Sequence, residues 1–116
     1  MTNFKTLILI TAGLILVGCG DPRADDKVEM TNSLIGEMRP SMTSTEKEET
    51  AACIVDILDA ELSDNGWTGI MFMLRGDRKG ARAWAEENNI NASALEGELE
   101  LATDKAEEAC DAKNVL

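Results

Sequence analysis

The sequence predicts an all-α fold, a small bundle of four or five helices tied by one disulfide. Three observations carry it. From about Lys27 onward, apolar residues recur at i, i+3, i+4 and i+7. Residues that start or stop helices stand at each break. Only Trp67–Leu74 reads as a strand on composition, and it has no good partner strand elsewhere.

The first helix is expected from about Lys27 to Met38, with Val28, Leu34, Ile35 and Met38 on one side. Pro40 stops it, because Arg39 before a proline is biased out of the helical region. The second begins at Thr43-Ser44-Thr45-Glu46, where Thr43 with Glu46 has the spacing of a capping box, as does Thr45 with Glu48. Ala51, Ile54, Val55, Leu58 and Leu62 then form its apolar face, with Cys53 and Ile57 on the shoulder. Asp64-Asn65-Gly66 reads as its left-handed stop.

Trp67, Ile70, Met71 and Leu74 form the face of a third, short helix, and Phe72 and Met73 lie off that face. Phe72 and Met73 beside Trp67 are the candidate partner surface: exposed and rimmed by acids, they would mark an interaction site. Gly76 is a C-cap and Asp77 the N-cap of a helix to about Asn88 that buries Ala81, Trp84 and Ala85. After Asn88-Asn89-Ile90-Asn91, the last helix runs to about Lys113. Asn91, or Ser93 with Glu96, would cap it, and Leu95, Leu99, Ala102, Ala106, Ala109 and Cys110 share its inner face.

Residues 1–18 differ from the rest. They hold one basic residue, Lys5, and no acid, and the run Leu7–Val17 is broken only by Thr11. That run is too short to span a bilayer and has the length of a signal-peptide core. It ends Leu16-Val17-Gly18-Cys19. These four residues resemble the lipobox of bacterial lipoprotein precursors: a branched apolar residue, a small or apolar residue, Gly or Ala, then Cys. The resemblance covers about the first nineteen residues; no family is suggested by residues 19–116. It implies cleavage between Gly18 and Cys19, diacylglycerol on the Cys19 sulfur and acylation of the new amino terminus, hence a membrane partner through the lipid. In Gram-negative lipoproteins Asp after the lipidated Cys favours the inner membrane. Gly20 stands there, so the resemblance favours the outer membrane, facing the periplasm. The expected division is a signal peptide at 1–18, a lipidated flexible tether at 19–26 and a helical domain at 27–116. With Cys19 lipidated, Cys53 and Cys110 remain, and in an oxidising compartment they are expected to pair.

Composition excludes several functions. The chain of 116 residues has no histidine, so there is no His-based triad, no usual zinc site and no near-neutral imidazole acid or base. Residues 19–116 hold 10 Lys+Arg and 22 Asp+Glu, a net charge of −12, which argues against nucleic acid as a partner. A calcium-loop reading with Gly66 at the sixth position fails, because Phe72 falls where a bidentate Glu is needed. Arg75-Gly76-Asp77 is explained by capping, and Gly76 and Gly80 lack the context of a phosphate loop. Arg75, Arg78, Lys79 and Arg82, with Trp84 near, form a basic island expected to be a solvated face paired with nearby acids. No catalytic constellation or cofactor motif is found. Two functions are therefore expected: a non-enzymatic binding or structural module of the cell envelope, or a periplasmic inhibitor or immunity protein that neutralises a basic enzyme.

Overall fold

The computed structural model describes residues 21–112. Among these are five helices, no strand, and the Cys53–Cys110 disulfide. In chain order they are α1 (Ala24–Glu37), α2 (Ser44–Glu61), α3 (Asp64–Arg75), α4 (Arg78–Glu87) and α5 (Ala92–Ala109). The signal peptide and lipobox, with Gly18 and Cys19, lie outside the described residues.

Helix α2 is the centre. Its capping box forms as the spacing requires: Thr43 Oγ1 accepts from the Glu46 N–H (3.1 Å) while Glu46 accepts from the Thr43 N–H (2.8 Å). Ala51, Ile54, Val55, Leu58 and the capping Leu62 are all buried. Helices α1 and α5 pack on α2, α3 packs on α1 and α5, and α4 packs chiefly on α3. Ala102 and Ala106 on α5 and Ala51 on α2 are buried to within a few per cent, small side chains that let helices come close. The disulfide ties α2 to the C-cap of α5 across 57 residues of sequence, with Cα atoms 5.8 Å apart.

Several expectations are corrected. Helix α1 begins at Ala24, so residues 21–26 are not all tether. Its inner row is Met30, Leu34 and Met38 at four-residue spacing; Val28, two residues from Met30 and so about 200° round the helix, is 61% exposed. Asp64-Asn65-Gly66 does not stop α2 but opens α3. The break is Leu62–Ser63, both extended, and Ser63 Oγ caps α3 by accepting from the Gly66 N–H at 3.1 Å. A Cβ at 66 would meet the tip of the Glu98 side chain of α5, whose carboxylate accepts from the Ser63 N–H (2.7 Å) and Oγ (2.8 Å).

Helix α4 ends at Glu87, and Ala81, Trp84 and Ala85 are only half-buried. One packed neighbour covers less of a helix than two do. Helix α5 stops at Ala109, not Lys113: Asp111 adopts a positive φ of 53°, the chain turns, and Ala112 is fully buried. Ala109, expected inside, is exposed. Elsewhere the caps fall as expected, with Gly76 left-handed at φ 67° and Asp77 and Asn91 accepting from the Gly80 and Ala94 N–H groups.

Candidate functional site

Trp67 does not belong to a partner surface. It is 3% exposed, and it is the centre of a polar clasp at the start of α1. Its indole N–H donates to Asp26 (3.0 Å), and the Arg23 guanidinium lies 4.8 Å over its ring. Arg23 also donates to the Asp59 and Leu62 carbonyls at the end of α2, where helix carbonyls lack partners, and pairs with Asp59 and Asp64 at 3.0 Å each. Lys27 bridges Asp21 and Asp59. Its hydrogen bond holds the Asp59 carboxyl below the ordinary range against the opposing effect of burial, with Arg23 adding to it. The bond to Asp21, and then that to Asp59, raises Lys27. The clasp is structural: every charge in it has a partner.

Phe72 and Met73 are placed differently from each other. The Phe72 ring packs tilted on Trp84 of α4, ring centres 5.6 Å apart, and is half-covered. Met73 is 67% exposed. It borders two shallow hollows, one against α5 and one against α4, both of which lie on α3. On the α5 side, Met73 and Leu99 form the base and Glu96, Glu100, Thr103 and Asp104 the wall, around a volume of about 460 Å³. On the α4 side, Phe72, Met73, Asp77, Arg78 and Ala81 line a further 340 Å³.

The two walls are opposite in charge. Glu96, Glu100 and Asp104 are spaced by four and share one row of α5, as Arg78 and Arg82 do on α4. All five are exposed, and none takes part in an ion pair among the described residues. The basic island is thus split. Arg75 pairs with Glu29 (2.8 Å) and Asp26 (3.3 Å) of α1, the Glu29 bond raising it further, whereas Arg78, Lys79 and Arg82 stand free of the described acids. The i, i+4 acids of α5 were a legible signal; their place beside Met73 was not, since it depends on how α5 leans on α3.

Chemically the hollows offer contact and charge. Where carboxyls shift, at Asp21, Glu29 and Asp59, cations lower them, the opposite of what a general acid at neutral pH needs. Among the described residues no cluster of three acidic or Cys side chains is placed to hold a metal ion, and no helix is long and apolar enough to cross a membrane. Comparison with protein-family models, curated proteins and solved structures finds no match.

Proposed function

We propose that this protein is a small acidic lipoprotein of the bacterial cell envelope, anchored through Cys19, acting as a non-enzymatic binding or structural module. The observation that carries the reading is Leu16-Val17-Gly18-Cys19 placed directly after the apolar run and four residues ahead of the first helix of the domain. Two or more acyl chains anchor stably where one does so only marginally. The exposed Met73, bordered by two shallow hollows, supports the binding part. Gly20 after the lipidated cysteine favours the outer membrane, periplasmic face. Radiolabelled palmitate should enter the full-length chain and sediment with membranes. Both should be lost in Cys19→Ala; label that persists in that variant refutes the anchor.

The net charge of −12 over residues 19–116 favours one second reading, an inhibitor or immunity protein for a basic enzyme. The two differ in their response to salt. Capture of a basic enzyme at low but not high ionic strength, with loss of its activity, would favour inhibition.

A further inference from the structure

We infer that the hollow between Met73 and α5 is a docking site for a basic amphipathic helix of a partner protein, one that seats an apolar side chain on Met73 and Leu99 and presents Lys or Arg to the acids beside them. The inference deepens the binding-module reading and rests on it. The lining of that one hollow carries it: Met73, Leu99, Thr103 and the acids Glu96, Glu100 and Asp104, around about 460 Å³. Its apolar part faces solvent. Met73 is 67% exposed, whereas Met71, two residues earlier on the same helix, is 2% exposed and belongs to the core. A polarizable thioether on a flexible stem adapts to the shape of an incoming apolar ridge.

Its charged part is of one sign and unpaired. Arg23, Lys27 and Arg75 answer acids of α1, α2 and α3, and Lys105, next in sequence to Asp104, turns to Glu61 of α2. Glu96, Glu100 and Asp104 are exposed and pair with none of the described cations. At every step of four they repel one another along α5. Glu100 and Asp104 also stand beyond its first turn, where the helix dipole no longer favours an acid. The row therefore weakens the helix that bears it and attracts a cation that meets it. Where residues break local rules without a gain in the fold, they are expected to serve a site. A partner helix with Lys or Arg every four residues repeats the spacing of the acids, about 6 Å per step and 12 Å from Glu96 to Asp104. The net charge of −12 over residues 19–116 steers a basic segment toward the domain, and the apolar floor beside the row decides where it settles. An acidic helix would be repelled by the row, and a cation without an apolar side chain would leave Met73 in water.

The test uses the full chain in a nonionic detergent. The probe is a fluorescein-labelled 18-residue peptide with a leucine ridge flanked by Lys, read by anisotropy at low salt. Glu100→Gln with Asp104→Asn should weaken its binding by about tenfold or more. Glu48→Gln with Glu49→Gln removes the same charge from exposed positions on α2 and should weaken it by no more than about twofold. Met73→Gln should weaken it by about fivefold while leaving the melting temperature within a degree or two, since Met73 is not in the core. Glu96→Lys, Glu100→Lys and Asp104→Lys together should lose the Lys-flanked peptide and take up a Glu-flanked counterpart, a gain that a misfolded variant would not show. Equal losses in the two neutralised pairs would reduce the effect to net charge and overturn the inference. Unchanged binding by Met73→Gln would overturn it too, as would a peptide with two central prolines that binds as tightly as the helical one. None of these outcomes bears on palmitate labelling, so failure here leaves the anchor reading standing.

Discussion

Arg23 shows how one side chain can decide where a domain begins. A segment reading Gly-Asp-Pro-Arg-Ala-Asp-Asp has no apolar periodicity and so looks like tether. Its arginine nevertheless reaches across to Asp59, Leu62, Asp64 and the Trp67 ring, contacts 36 to 44 positions away in sequence. Nothing local announces this, because the acceptors are carbonyls that exist only once α2 has ended. The burial of Trp67 on the inner face of α3 fits its helical spacing, but its polar partner escapes local reading for the same reason: a buried indole needs a partner for its N–H, and Asp26 supplies it from another helix. Arg23→Ala is expected to destabilise the domain by about 2 kcal/mol, the loss of charged hydrogen bonds and a cation–π contact. Arg23→Lys should recover little of this, since an ammonium cannot fork between two carbonyls and two carboxylates. Urea unfolding of the three proteins measures it. A lysine variant as stable as the parent would show that charge alone suffices.

At the scale of the element, the sequence is most legible where one helix carries its own signals. The α2 capping box and five-residue apolar face could be read directly, and every named residue of that face is buried. Boundaries that answer to neighbours were read less well. Asp64-Asn65-Gly66 resembles a stop, yet Ser63, held by Glu98 of α5, caps the helix it opens, which makes it a start. Helix α4 is the weakest element: ten residues with none buried, one substantial neighbour, and charges opposed to its dipole. Its amides are expected to exchange fastest of the five helices, through local opening well below the global free energy. Arg78→Glu with Lys79→Glu should stabilise α4 by roughly 0.3–1 kcal/mol per site. Hydrogen exchange by mass spectrometry would detect both effects. Slower exchange in α4 than in α2 would contradict this account.

The whole molecule leans on its crosslink. Leu, Ile, Val and Phe number 17 among residues 19–116, a small store of large apolar side chains for a domain that must fold. Closing 57 residues between Cys53 and Cys110 is worth about 4 kcal/mol in the chain-entropy model, a large share of a typical 5–15 kcal/mol. Reduction should therefore lower the thermal midpoint by roughly 15 °C or more. An unchanged melt in reductant, with two thiols titrated, would remove the crosslink from this role. Stability should also form a plateau in pH. Asp59 is depressed, so its contribution is present above the ordinary carboxyl range and disappears as pH falls through its folded value, below about 4. Lys27 is raised, so its contribution is complete below the ordinary lysine range and disappears as pH rises above about 10.5. Asp59→Asn should flatten the acid limb, which guanidinium midpoints from pH 2 to 7 would record. The overall class was legible because helix, cap and cysteine patterns agree; the hollows beside Met73 were not, because each is bounded by more than one helix.

The Arg23 clasp has a bearing on geography. Were Cys19 lipidated, as proposed, only Gly20 would separate the anchored residue from Asp21, whose carboxylate already holds the Arg23 N–H and Lys27. A chain spans at most about 3.6 Å per residue, so the domain would stand within roughly 10 Å of the bilayer surface. It would behave less like a balloon on a string than like a stud set in a floor. Any partner that docks on it would then have to come to the membrane to do so, and its search would be along a surface rather than through a volume.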